Sequence, residues 1–259
     1  MRPLEELDAR AVRAVLVDID ETLTTAGKLT ADAYAALERL HTSGRIVVPV
    51  TGRPAGWCDH IARMWPVDAV VGENGAFYFF HSGGKLHKRF LEDAQARAGK
   101  RSRLDAVARR ILAEVPGCAL AADQAYRETD LAIDYCEDVP PLPLEAAERI
   151  VALMREAGLS AKISSIHVNG WFGGYDKLAM ARVLFAEKFT TDLDAANAQF
   201  AYAGDSPNDA PMFAFFANSI GVANVARFAG HMAAQPKFVA QAEAGAGFAE
   251  IAAHLLGGR

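Results

Sequence analysis

Two aspartates close an apolar run near the start of the chain: RAVRAVLVDIDETLT places Asp18 and Asp20 directly after AVLV, with Ile19 between them. Three further apolar segments end in groups of the same kind. VVPVTGR ends in Thr51, Gly52 and Arg53, DAVVGENGA near Glu73 and Asn74, and FAYAGDSPND in Asp205, Ser206, Asn208 and Asp209. Lys177 opens a helical segment after Tyr175 and Asp176. Carboxylates gathered in this number repel one another unless a cation joins them, and hard oxygen donors suit Mg²⁺ rather than zinc. A carboxylate that approaches a phosphate dianion to about 4 Å meets a repulsion on the order of 8 kcal/mol at an effective dielectric of about 20. Mg²⁺ and Lys177 would offset it, so phosphoryl transfer to an aspartate is the chemistry that fits these residue types.

Such convergence requires a particular scaffold. The run AVLVDI (14–19) is rich in β-branched residues and suits a strand buried on both faces. Thr30 is placed to cap a helix in which Ala33, Leu37 and Leu40 recur at helical spacing, with Gly44 at its end. A second strand (45–52), a helix opening at Pro54 and a third strand (68–76) complete a strand–helix alternation typical of a doubly wound α/β sheet. In an open parallel sheet, ligands bind beyond the carboxyl ends of the strands, where the groups above stand. The rhythm breaks at a hairpin around HSGG (81–84) and continues as helix, two strands, helix and strand to about residue 170. It resumes with a helix after Tyr175, a strand at 200–205, a helix, a strand at NSIGVAN, a short strand near KFVAQA and a terminal helix. The expected fold class is α/β, a mostly parallel sheet formed by 1–80 and 171–259, with an inserted α+β cap at 81–170.

Bulk properties narrow the function. With 259 residues, half of them hydrophobic, the chain can bury a substantial core. A formal net charge of −5 gives no general attraction to nucleic acid or anionic membrane, and no window approaches eighteen consecutive apolar residues. The expected partner is a small-molecule phosphate ester, with neither nucleic acid nor membrane; the sequence leaves the oligomeric state open. Cys58, Cys118 and Cys136 are odd in number and lack CxxC spacing, and the N-terminus has no apolar leader, so reduced thiols in a cytoplasmic protein are expected.

DIDETLT (18–24), VTGR (50–53), YDK (175–177) and GDSPND (204–209), in that order, resemble the four motifs of the haloacid dehalogenase superfamily of phosphatases. The large insertion between VTGR and YDK, with GENGA (72–76) and GVANV (221–225), is similar to the subclass with a type IIB cap, which includes Cof-type sugar phosphatases, sucrose and trehalose phosphate phosphatases and phosphomannomutases. The resemblance implies that Asp18 is the nucleophile and that Asp20 protonates the departing oxygen and then activates water. It implies that Thr51 bonds a phosphoryl oxygen and that Lys177 balances charge. It implies further that Asp205 binds Mg²⁺ with Asp18 and the backbone carbonyl of Asp20, while Asn208 and Asp209 complete or orient that shell. Gly52, Arg53 and Asn74 are expected against the substrate. Glu21 stands where this motif often has glycine, so its backbone is expected to need no positive φ.

On the cap, SSIHVNGW (164–171) alternates, giving Ser165, His167, Asn169 and Trp171 one face and Ile166 and Val168 the other. The corresponding strand of phosphomannomutase relatives resembles this one in reaching the sugar, which makes His167 and Asn169 specificity candidates for a sugar phosphate. Arg127, in the turn between two cap strands, could contact a second anionic group. Two other functions fit parts of the pattern. A phosphomutase would return the phosphoryl group to the sugar. A phosphoacceptor signalling or phosphate-binding module would use the sheet without hydrolysis, although a receiver domain should carry its acceptor after the third strand, where this chain has GENGA.

Overall fold

The structure, a computed structural model, describes residues 1–228 and 230–257. The chain begins with β1 (Arg2–Pro3) and β2 (Ala14–Val17), the apolar run, buried throughout. A short hairpin, β3 (Thr24–Thr25) and β4 (Lys28–Leu29), precedes helix α1 (Ala31–Thr42), whose cap Thr30 accepts the Ala33 N–H at 3.3 Å. There follow β5 (Ile46–Pro49), α2 (Ala55–Met64) and β6 (Val70–Gly72). Next is the hairpin β7 (Phe77–Ser82) and β8 (Lys85–Phe90), closed by Gly83 and Gly84 at φ 59° and 74°, the two positive angles a tight two-residue turn demands. The segment beyond contains α3 (Ala94–Glu114), β9 (Ala119–Leu120), β10 (Asp130–Asp134), α4 (Leu144–Glu156), β11 (Ser160–Ile163) and β12 (His167–Trp171). The chain closes with α5 (Lys177–Phe189), β13 (Phe200–Gly204), α6 (Ala210–Phe215), β14 (Asn218–Gly221), β15 (Phe238–Val239) and α7 (Ala244–Leu255).

Six strands form one parallel sheet in the order β1-β15-β14-β13-β2-β5. Alternate residues of β2 enter opposite cores, which explains its unbroken apolar run. Val15 and Val17 pack among Leu37, Ile61, Phe248 and Ile251, whereas Ala14 and Leu16 pack among Met180, Leu184, Phe213 and Phe216. Helices on both faces make the sheet doubly wound. The third strand of the sequence reading, β6, touches this sheet through a parallel bridge between Val50 and Val71 and pairs antiparallel with β7. The β7–β8 hairpin straddles residue 81: Phe77 and Phe79 are buried in the core and Phe90 packs against it.

The inserted segment has its own antiparallel sheet, β11-β12-β10-β9, and its own core. Leu131, Ile133 and Val168 point into Leu104, Ile111, Ile150 and Leu153 of α3 and α4. Asp130, Asp134, His167 and Asn169, at the alternate positions, are buried on the other face. Ile166 departs from the expected alternation: it lies in the turn before β12 and lines the space above the sheet rather than the cap core.

Glu21 also departs from expectation, with φ 54°. That conformation costs a non-glycine residue roughly 1–2 kcal/mol. Three hydrogen bonds fix it: the Glu21 N–H donates to Thr24 Oγ1 at 3.2 Å, its carbonyl accepts from Asn224 Nδ2 at 2.9 Å, and its Oε1 accepts the Gly27 N–H at 3.3 Å.

Candidate active site

The ends of β2, β5 and β13 and the start of α5 converge as parallel topology requires. Asp18 extends β2 by one more sheet bond, its N–H donating to the Ala203 carbonyl at 2.9 Å. Lys177, the first residue of α5, is fixed by that helix's cap, Asp176, which accepts the Ala179 N–H at 2.8 Å. Lys177 Nζ donates at 2.7 Å to both Asp18 Oδ1 and Asp209 Oδ1. Asp209 Oδ1 also accepts the Tyr202 hydroxyl, and Asp209 Oδ2 accepts the N–H groups of Asp205 at 3.0 Å and Ser206 at 3.2 Å. Gly204 permits this approach, since a Cβ there would stand 2.4 Å from Asp209 Oδ2. Asp209 therefore spends both oxygens on holding Lys177 and the loop after β13.

Asp18, Asp205 and Asp209 are buried with carboxylate oxygens within 4.8 Å of one another. Burial pushes the Asp18 carboxyl up to about 8, aided by Asp209 and Asp20 and opposed by Lys177. Burial likewise raises Asp205 well above the carboxylate range, with Asp18 and Asp209 adding to it. Asp205 Oδ2 accepts from Asn224 Nδ2 at 3.0 Å, and Asn224 thereby ties the Asp205 carboxylate to the Glu21 carbonyl. Buried carboxylates that one lysine does not neutralise fit a hard divalent cation, and Asp18 and Asp205 lie close enough together to share one.

Asp20 is gripped by Arg53, whose Nε lies 2.9 Å from Asp20 Oδ1 and whose Nη2 lies 2.8 Å from the same atom. The Arg53 side chain, only 4% exposed, also pairs with Glu137 at 2.6 Å and Asp123 at 3.4 Å and stacks on Trp57. Thr51 is buried, its Oγ1 accepting the Arg53 N–H at 3.0 Å. Gly52 lets two amides approach: a Cβ there would lie 3.1 Å from Asn74 Nδ2 and 3.4 Å from Asn169 Oδ1. Asn74 adopts φ 54°, its Oδ1 accepts from Asn208 Nδ2 at 3.4 Å, and its buried Nδ2 has no acceptor among the described residues. That donor is available to an anion. A small enclosed space is lined by Asp18, Asp20, Gly52, Arg53, Ser165, His167, Asn169 and Asn208, joining core and cap residues.

Residues 15–99 match the family model described as haloacid dehalogenase-like hydrolase. Over this stretch the chain is similar to haloacid dehalogenase-like hydrolases. Solved structures of this fold span nearly all of it. A Thermoplasma acidophilum protein is 18% identical with a TM-score of 0.70, covering 95% of this chain and 98% of that one. The C-terminal domain of C. albicans trehalose-6-phosphate phosphatase is 14% identical with a TM-score of 0.70, covering 96% and 94%. Synechocystis sucrose-phosphatase, solved with sucrose and phosphate, is 15% identical with a TM-score of 0.64, covering 95% and 98%. At these identities the likeness is one of fold. No protein with a curated description matches the chain.

The candidate site thus gathers Asp18, Asp20, Arg53, Lys177, Asp205, Asn208 and Asp209, with His167 and Asn169 facing them from the cap. Arg127 stands apart. Its side chain is wholly buried, pairs with Asp123 at 3.0 Å and Asp130 at 3.1 Å, and donates to the Gly52 carbonyl at 2.8 Å. Asn169 Nδ2 donates to the same Asp130 at 3.1 Å. The arginine expected to meet a second anion is therefore a tie between cap and core with its charge already matched. Two further residues complete the arrangement. Glu73, buried at φ 43°, accepts the N–H groups of Ala55 at 3.0 Å, Glu128 at 2.9 Å and Thr129 at 2.6 Å, and the Thr129 hydroxyl. It thereby caps α2 and anchors the cap with one carboxylate. Glu137 joins Arg53 to His167 Nε2, which lies 2.8 Å away. The alternation of DLAIDY gives Asp130 and Asp134 a common face, but nothing in the irregular segment after it marks Glu137.

Proposed function

We propose that the chain is a Mg²⁺-dependent phosphatase of small phosphate monoesters, sugar phosphates foremost, acting through an aspartyl-phosphate on Asp18. The observation that carries this reading is the buried Asp18 carboxylate, bound to Lys177 at 2.7 Å and set among Asp205 and Asp209 at the carboxyl edge of the sheet. Asp18 attacks phosphorus, the ester P–O bond breaks, and the departing oxygen takes a proton from Asp20. Water then attacks phosphorus with Asp20 as base, freeing phosphate and the Asp18 carboxylate. Lys177 offsets the repulsion between nucleophile and phosphate, and the unpaired Asn74 Nδ2 is a donor for a phosphoryl oxygen. Mg²⁺, held by Asp18, Asp205 and the Asp20 carbonyl, would supply further neutralisation of the transferring group. Arg53 divides its charge among three carboxylates, so it orients Asp20 without being that residue's exclusive counter-ion.

The sugar preference is supported by the buried polar face of Asp130, His167 and Asn169, groups suited to hydroxyls, and by the names of the sucrose and trehalose-6-phosphate phosphatases that share the fold. Three free cysteines suit a cytoplasmic setting. The test is phosphate release from a panel of sugar phosphates, nucleotides and p-nitrophenyl phosphate, with and without Mg²⁺, beside Asp18→Asn. Mg²⁺-dependent release that disappears in the variant is expected; release that survives Asp18→Asn would refute the nucleophile assignment.

A further inference from the structure

A cavity of about 400 Å³ beside Asp20 is lined by four carboxylates, Asp20, Glu21, Glu137 and Asp205, against two arginines. Both arginines already face carboxylates, Arg53 in the buried wall and Arg227 at the exposed rim. Arg53 is committed to Asp20, Asp123 and Glu137, and Arg227 pairs with Glu243 at 2.8 Å. Arg127, which reaches the Gly52 carbonyl from the cap, is closed by Asp123 and Asp130.

Glu137 is central to this balance, and its position is built rather than incidental. Asp134 Oδ1 accepts the N–H groups of Cys136 at 2.9 Å and Glu137 at 2.8 Å, and Asp134 Oδ2 accepts that of Asp138 at 2.8 Å, which fixes the loop carrying Glu137. Glu137 Oε1 then meets Arg53 Nη2 at 2.6 Å, and Oε2 lies 2.8 Å from His167 Nε2. Burial opposes ionisation, but His167 and Arg53 outweigh it and hold the Glu137 carboxyl down to about 2. The chain's own carboxylate thus occupies the place between arginine and histidine.

We infer that Glu137 is a specificity-determining residue that admits phosphate esters with a neutral or cationic leaving group and rejects those bearing a second anion. The inference rests on the phosphatase reading and deepens it. Esters with a second phosphate or a carboxylate near Glu137 meet a fixed like charge, and the arginine beside it, Arg53, is already shared among three carboxylates. Hydroxyls and amines can use the same carboxylates as acceptors.

The experiment uses three hexose-derived esters of graded charge: glucosamine 6-phosphate, glucose 6-phosphate and 6-phosphogluconate. With Mg²⁺ and the wild-type chain, kcat/KM is expected to fall by at least about tenfold from the neutral ester to the carboxylated one, the size of a like-charge contact across several ångströms. Glu137→Gln, which keeps shape and removes charge, is expected to shrink that gap on the order of tenfold and to weaken the preference for the amine. A preference for 6-phosphogluconate, or a gap that Glu137→Gln leaves unchanged, would overturn the inference. Calorimetric binding of the same esters to Asp18→Asn separates the two readings. If the wild type hydrolyses none of them, the phosphatase reading fails while the charge order is still read from binding; a flat or reversed order, or binding of none, overturns the filter.

Discussion

Replacing Lys177 by methionine isolates the electrostatics of the site. The lysine is buried, and its Nζ is 2.7 Å from oxygens of Asp18 and Asp209. At that separation the attraction to each carboxylate, once ionised, is about 6 kcal/mol for an effective dielectric of about 20. Desolvation cancels much of this, and removing one partner of a buried pair typically costs about 3–5 kcal/mol because the other is left uncompensated. Methionine fills most of the volume, so little of the loss comes from a cavity. For a chain of this size the cost corresponds to a Tm lowered by roughly 10 °C in EDTA. Mg²⁺ should restore part of it by binding the orphaned carboxylates. Restored folding should not restore turnover, because Asp18 would face the phosphate without its lysine; kcat is expected to fall by about 10²–10³. Thermal unfolding with and without Mg²⁺, beside phosphate release, reads both quantities. A Tm within about 1 °C of wild type in EDTA, with kcat within about twofold, would refute the reasoning, since a loss of 3 kcal/mol could not hide in either measurement.

The metal-free protein should lose stability as pH rises between about 4 and 8. Asp18 is raised from its ordinary 3.8 to about 8, so across that window the folded chain keeps a proton that the unfolded chain has released. Urea midpoints in EDTA should therefore fall from pH 5 to pH 8 and flatten with saturating Mg²⁺; a midpoint that rises over this range would show the carboxylate to be well compensated. Glu73→Ala should cost about 3 kcal/mol, because it strips a buried acceptor from three N–H groups and a hydroxyl. It should also raise KM more than it lowers kcat, since Glu128 and Thr129, two of the three residues it releases, belong to the cap and none is a reacting group; an unchanged KM would separate Glu73 from cap placement.

The core of the site was legible because parallel topology converts chain order into proximity. Once AVLV, VVPV and FAYAG are read as parallel neighbours, Asp18, Thr51 and Asp205 must stand at one edge, and the paired register of β2 with β5 and β13 puts them there. The polar face of β12 was legible for the same reason, since strand alternation fixes which side His167 and Asn169 occupy. Contacts made by irregular segments have no such rule. Glu137 meets Arg53 across 84 positions and Glu73 meets Thr129 across 56, both from segments whose conformation no period predicts. Glu21 shows the limit in one residue: its positive φ is held by Asn224, 203 positions away.

Arg127 makes the opposite point, because its partners were within reach of the sequence. Asp123 and Asp130 stand four residues before it and three after, and they absorb its charge. An arginine offered to substrate should lack such neighbours, whereas one flanked by acids on both sides is more economically read as a structural ion pair. The same reasoning applied in space, rather than along the chain, turns Arg53 from a residue expected against the substrate into the clamp on Asp20. The charge left to recognise a leaving group is then negative, and that makes Glu137 the residue on which substrate choice turns.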